Sequence, residues 1–351
     1  MIGATRYSPI GLDLRETRVH AAQLARTAHG FRVHALADLP IDVGALAPES
    51  GRPLEHVMDL LMRRGFRGDR VVLAAPRGAV RSSVVNVPPG AAGPALEAIA
   101  RSELSRAHNL DPSSFELACW PLPGAAGARV DSAGALAFAC PHEALLGTVA
   151  QFDAIGFDVV AVDLKSQAIA RACLPLIGQG GGLLRVIVEL GRAQSMLIVM
   201  IDSTVLYERS LTECSLDSLR SEIRSVLGVD DRAADRAILS RGLSGFGPES
   251  RGRATRVRSS LDDYVGVVAG ELAMSIDYAA RRHGVSDASE ALLIGAGASM
   301  PGLAERLSES CDVPVRAIRP DALLAVSPGA GVSNDPSLVV AIGLACRSGG
   351  G

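Results

Sequence analysis

Lysine is almost absent from this chain. Of its 35 basic residues only Lys165 is lysine, and the other 34 are arginine. That excludes a Walker-type phosphate loop, which needs Gly-Lys-Ser/Thr after a glycine-rich turn, whereas Lys165 follows Asp163-Leu164. Aromatics make up 3% of the residues. Long apolar runs are missing too. Met196 to Ile201 and Leu338 to Cys346 fall far short of the roughly 18 to 20 residues that span a bilayer. The start, Met1 to Ile10, has no apolar core of a signal peptide. The sequence therefore predicts a soluble chain that reaches a membrane only through a partner. Cys119, Cys140, Cys173, Cys214, Cys311 and Cys346 show no CxxC spacing and no accompanying His cluster. They read as small buried hydrophobes in a reducing compartment. No Ser/His/Asp set and no HExxH stretch appears, so no catalytic residue is assigned. A formal net charge of -3 argues against a dedicated nucleic-acid binder, which needs a concentrated basic face.

What is present is apolar substance: 48% hydrophobic residues in 351, enough for one large domain or two medium ones. Pro9 to Leu14, Val19 to Leu24 and Phe31 to Ala37 read as a β-meander. Leu184 to Leu190, Ser195 to Ile201 and Val205 to Leu211 read as a second. Each first strand ends near a carboxylate, Asp13 in one and Glu189 in the other, about half a chain apart. This pattern predicts an internal duplication. Strands at 71–75, 80–87, 135–140 and 157–162 alternate with helices at 54–64, 94–108, 142–155 and 166–176. Gly178 to Gly182 reads as a linker. In the second half helices are expected at 216–226, 231–239, 261–282, 302–309 and 338–346, and strands at 291–294 and 313–318. Residues 242–258 read as a Gly/Ser/Arg loop. The whole is an α/β chain with mixed sheets.

Three turns at strand ends have the makings of an anion site. They are Asp13-Leu14-Arg15-Glu16-Thr17, Glu189-Leu190-Gly191-Arg192-Ala193, and Ile294-Gly295-Ala296-Gly297-Ala298, with a helix starting after Pro301-Gly302. Backbone N–H groups in such turns bind anions, and a following helix adds a favourable dipole. Asp13 and Glu189 are the candidate carboxylates for a magnesium held through water.

Those stretches carry a resemblance. Ile10-Gly11-Leu12-Asp13-Leu14, Val188-Glu189-Leu190-Gly191, Leu293 to Ala298 with Pro301-Gly302-Leu303, Phe157 to Asp163, and Ala341-Ile342-Gly343-Leu344-Ala345 are similar to the motifs of the actin-like ATPase superfamily, which includes actin and FtsA. Within it the chain most resembles the PilM family of type IV pilus assembly. The resemblance implies a duplicated actin-like (RNase H-like) two-lobe fold. Lobe I would be residues 1–80 plus 156–180, with an inserted subdomain at 81–155. Lobe II would be 183–347, with 216–289 its smaller subdomain. It also implies a cytoplasmic protein at the inner membrane that docks the cytoplasmic tail of a PilN-like protein between the inserted subdomain and the rest of lobe I. Self-association and kinship with the type II secretion protein GspL are further implications.

The implied ATP and magnesium site has departures. Its residues would be Asp13, Arg15, Thr17, Glu189, Gly191, Arg192, Asp235, Gly295, Gly297 and Ala298. Arg15 stands where the family has glycine and His20 where it has lysine. Glu189 replaces aspartate, Arg192, Gln194 and Met196 replace small, hydroxyl or amide residues, and Ala296 replaces glycine. Ala234-Asp235 with Ile238 has lost the lysine of the ribose site. Lys165 is a phosphate-clamp candidate near the place where the superfamily orients its attacking water, but an ammonium has no acceptor for a proton. The expectation is a scaffold with weakened or absent ATP turnover. The alternative is an active ATPase or phosphotransferase using Mg-ATP. Arg251, Arg253, Arg256 and Arg258 read as a solvated basic loop, with acidic lipid or an acidic partner as the functional reading. Asp230-Asp231 and Asp262-Asp263 read as helix starts, and Trp120 as core.

Overall fold

The structure is a computed structural model. It describes residues 6–15, 17–28, 30–41, 52–76, 78–123, 133–177, 182–246, 249, 251–284, 288–325 and 334–347. Residues 178–181 of the expected linker lie outside these. The chain divides into two compact units. One is Met1–Cys173 with Leu324–Ser333 and Val340–Gly351; the other is Leu174–Leu323 with Asn334–Val339.

The first unit is built on strands β1 (Ile10–Leu14), β2 (Arg18–Thr27), β3 (Gly30–Pro40), β4 (Arg70–Ala74) and β8 (Asp158–Asp163). Their order in the sheet is β3-β2-β1-β4-β8. The first three are an antiparallel meander, and β4 and β8 run parallel to β1. Helix α1 (Arg52–Arg63) supplies Val57 and Leu61 to a core with Ile10, Leu12, Val19, Leu73 and Phe66. A separate layer holds β5 (Arg81–Val87), β6 (Phe115–Pro121) and β7 (Ala133–Pro141) in the order β5-β7-β6. Helix α2 (Gly93–His108) sets Leu96, Ala100 and Leu104 on it, four or fewer residues apart, against Val85, Phe115 and the alternate residues Ala135, Ala137 and Ala139. Trp120 is half-buried and stacks on Phe138 at 5.1 Å. Helix α3 (His142–Asp153) leads back to β8, and α4 (Lys165–Ile177) follows it.

The second unit repeats the plan. Strands β9 (Leu184–Glu189), β10 (Ser195–Ile201), β11 (Thr204–Leu211), β12 (Glu290–Ile294) and β13 (Val315–Ala317) lie in the order β11-β10-β9-β12-β13. Again the first three are antiparallel and the last two join in parallel. The duplication read from two carboxylates is thus a duplication of sheet order. Helices α5 (Leu216–Leu227), α6 (Asp231–Arg236), α7 (Arg253–His283), α8 (Leu303–Cys311) and the short α9 (Pro320–Leu323) surround this sheet.

Two expectations need correction. The basic stretch at 253–258 is helix, the opening turns of α7, because Val257, Ser260, Leu261 and Tyr264 recur at helical spacing on its buried face. Arg253 donates to the Leu227 carbonyl at 2.9 Å and Arg258 to that of Phe246 at 3.0 Å. Asp262-Asp263 therefore sits inside a helix, where Asp262 pairs with Arg258 at 3.2 Å. Asp230 does cap α6, accepting the Ala233 N–H at 2.8 Å.

The last helix, α10 (Val339–Ala345), belongs with the first unit from Val340 onward. Two glycines let it in. A Cβ on Gly11 of β1 would stand 2.1 Å from the Ala341 carbonyl oxygen, and one on Gly343 would stand 1.8 Å from that of Ala168 in α4. Only glycine permits backbones this close.

Candidate functional site: carboxylates held by arginines

In the first unit the strand register builds a row of charge. Asp13 on β1 is paired with His20 on β2, and His20 with Asp38 on β3. Residues paired this way share a face of the sheet, so the three side chains stand side by side. Asp13 and His20 are buried, at 3% and 5% exposure. His20 Nδ1 lies 3.8 Å from Asp13 Oδ2, and Nε2 lies 3.4 Å from Asp38 Oδ1. Each end of the row meets an arginine: Arg15 Nε donates to Asp13 Oδ2 at 2.6 Å, and Arg18 Nε donates to Asp38. Burial pushes the Asp13 carboxyl up, but Arg15, His20 and Lys165 outweigh it and hold the group well below the usual carboxylate range. Burial likewise pushes Asp38 up, and His20 and Arg18 bring it down to about 2. Burial depresses His20, yet its two carboxylate neighbours leave it above its ordinary value of 6.5.

A third carboxylate, Asp163, ends β8 at the same edge of the sheet as Asp13, because β1, β4 and β8 are parallel. It is buried. Arg171 Nη1 reaches Oδ2 at 2.9 Å and Arg347 Nη1 reaches Oδ1 at 2.7 Å. Arg171 also donates to the Gly343 carbonyl at 2.8 Å, tying α4 to α10. Lys165 sits two residues beyond, at the first position of α4. Sequence reasoning passed over Asp163 and gave this region's chemistry to Lys165. The available signal was position: Asp163, like Asp13 and Glu189, is a carboxylate near the carboxyl end of a sheet strand.

In the second unit Glu189 occupies the place of Asp13. It is 1% exposed and paired across the strands with Met196, which is paired in turn with Ser210. The row that is charged in one unit is thus mostly neutral in the other. Arg192 forks onto Asp235, with Nη1 at 3.1 Å from Oδ1 and 3.0 Å from Oδ2, and Arg220 approaches the same carboxylate at 4.0 Å. Just past Asp235, α6 gives way to a single wide turn at Ala237–Arg241.

Five of the turn N–H groups also have partners. Arg15 donates to the Arg18 carbonyl at 2.8 Å, Gly191 to Ser195 Oγ at 3.1 Å and Gly295 to the Pro336 carbonyl at 3.1 Å. Gly297 donates to the Leu190 carbonyl at 2.9 Å and Ala298 to that of Gly295 at 3.1 Å. Gly295, at φ 82°, comes so close that a Cβ would lie 2.6 Å from the Leu190 oxygen. Thr17 is exposed and offers its carbonyl to the Ile41 N–H at 2.9 Å. The structure brings Asp13, Arg15 and Lys165 together in one unit, and Glu189, Gly191, Arg192, Asp235, Gly295, Gly297 and Ala298 in the other.

This donor set is a poor fit to magnesium and a polyphosphate. A metal at Asp13 would compete with a guanidinium 2.6 Å from the carboxylate, and a phosphate at the turns would compete with hydrogen bonds already made.

Two sheets of one order, each ending its first strand near a carboxylate and joined to parallel strands, define an actin-like protein. The comparisons agree. The profile of the family described as Type IV pilus assembly protein PilM matches residues 11–349. The chain belongs to that family. A solved PilM-PilN type IV pilus biogenesis complex contains a similar chain, at TM-score 0.78 and 20% identity, over 96% of this chain and 97% of that one. The ethanolamine utilization protein EutJ from Carboxydothermus hydrogenoformans is similar at TM-score 0.51 and 13% identity, over 97% and 89%. Among the described residues no helix is long and apolar enough to cross a membrane.

Proposed function

We propose that the chain is a scaffold of type IV pilus assembly, cytoplasmic and peripheral to the inner membrane. It receives the cytoplasmic tail of a PilN-like membrane protein and turns over ATP weakly or not at all. The observation that carries the reading is the family match over 11–349, taken together with a cleft in the first unit. That cleft lies between the three-stranded layer and the ends of β4 and β8. It is lined by Leu117, Ala118, Phe138, Ala139, Leu145 and Val162, with Asp163 at its margin, and measures about 90 Å³. Ligand pockets start near roughly 300 Å³, so this one suits a peptide side chain better than a nucleotide. Strand β6, with Leu117 and Ala118, is an edge strand, which gives an extended tail backbone partners alongside the cleft. Lobe boundaries close to 80, 155 and 183 and self-association are parts of the same proposal, as is a place in secretion-like machinery.

The test is capture of the tail of the membrane protein encoded in the same operon. Leu145→Arg should weaken capture about tenfold or more by filling the cleft with charge. An unbound tail, or a variant that binds as well, would remove the reading. Calorimetry with Mg-ATP should be silent. Micromolar binding abolished by Asp13→Ala would favour an ATP-using protein instead.

A further inference from the structure

Away from the carboxylates, at the opposite edge of the first sheet, arginines gather. Arg26, next to last in β2, is paired with Phe31 of β3, next to Arg32. The Arg6 carbonyl accepts the Arg26 N–H at 2.8 Å, and Tyr7 bridges to Ala25. The fully buried Gln23 brings in the chain before β4: its Nε2 donates to the Ser8 and Arg67 carbonyls at 3.0 and 2.7 Å, and its Oε1 accepts the Arg67 N–H at 2.8 Å. His34 bonds the Gly65 carbonyl at 3.0 Å and packs its ring 4.5 Å from that of Tyr7. This adds Arg63 and Arg64, at the end of α1, to the group. The six arginines 6, 26, 32, 63, 64 and 67 are exposed, and among the described residues none has a carboxylate partner. Of the acids nearby, Asp59 lies one turn before Arg63 on α1 without an ion pair to it, and Asp69, Asp153 and Asp158 lie on the β8 side, where Asp158 pairs with Arg70 at 3.8 Å. Tyr7 and Phe31 are 40% and 36% exposed at this end of the sheet, Phe31 on the face of Arg26 and Tyr7 on that of Arg32.

We infer that this edge is a contact surface for anionic phospholipid, a direct membrane attachment in addition to the one through a partner. The charge argument is directional. Without the six arginines the formal charge of the chain falls from -3 to -9, so an anionic surface attracts this edge and repels the remainder. Guanidinium forks suit headgroup phosphates. Phe31 has no polar handle, so its exposure is repaid where it enters the apolar boundary of a bilayer, while Tyr7 suits the headgroup level. Composition hid this surface, because the average charge is near neutral and the arginines are scattered along the first seventy residues.

Vesicle co-sedimentation of the full chain tests it. The chain should pellet with phosphatidylcholine vesicles containing phosphatidylglycerol, remain free with phosphatidylcholine alone, and be released as salt shortens the screening length. Each of Arg26→Ala and Arg32→Ala should weaken partition about fivefold, and Phe31→Ser should weaken it with no change in charge. All three lie on the surface, and an unchanged melting temperature verifies the fold. No pelleting with anionic vesicles overturns the inference, as does pelleting that the variants leave intact. So does a preference for single-stranded RNA over vesicles. Tail capture should be unaffected by these variants, so failure here is separable from failure of the scaffold reading.

Discussion

At the scale of single residues, a buried carboxylate stays charged when cations of the same chain surround it. Asp13, Asp38 and His20 make a pH window. The two carboxyls are lowered, Asp38 to about 2, so their contribution is present above the unfolded value of 3.8 and is lost as pH falls through the lowered ones. His20 is raised above 6.5, so its contribution is full below that value and is lost as pH rises through the raised one. We expect His20→Gln to lower the melting temperature most at about pH 4 to 6.5, with the two curves converging at higher pH. Parallel curves would show that the imidazolium does not matter. Arg15→Met keeps the stem and removes the charge, leaving Asp13 buried beside weaker partners. We expect a loss of about 3 kcal/mol in urea unfolding, with most of it recovered in Arg15→Met/Asp13→Asn. These pairings were only partly legible. The sequence shows Arg15 two residues from Asp13, and two residues is within reach. It does not show that His20 faces Asp38, which depends on register, or that Arg347 reaches Asp163, which depends on where the last helix packs.

At the scale of elements, the sheets were the most legible part, because apolar alternation and turn residues mark strands directly. Helix starts were less so. The run from Arg253 to Arg258 looks like a loop by charge, and only the spacing of Val257, Leu261 and Tyr264 reveals α7. The role of α10 was hidden for a different reason. Its sequence gives a helix, but its seat against β1 and α4 is a matter of two missing side chains. Gly11→Ala and Gly343→Ala should each cost about 3 kcal/mol, since the added methyl meets backbone that cannot give way. Gly147→Ala on exposed α3 meets nothing within 4 Å and should instead stabilise by about 1 kcal/mol. Urea titrations of the three variants check this. Equal midpoints would mean that α10 does not press on β1.

At the scale of the whole molecule, the actin-like plan is kept while several carboxylates and turn N–H groups are held by the chain's own groups. Asp13, Asp38, Asp163 and Asp235, each held by an arginine, and five occupied turn N–H groups show this within their own units. The melting temperature should therefore move by less than about 1 °C with Mg-ATP or with EDTA; a tightly bound ligand would raise it by several degrees through mass action. The placing of α10 also bears on how the chain is made. β1 leaves the ribosome more than 300 residues before the helix that covers Gly11. At roughly 5 to 20 residues per second, the first sheet waits on the order of tens of seconds with that face bare. Nascent chains stalled before Val340 should accordingly be far more dependent on chaperones than chains stalled after this helix has emerged.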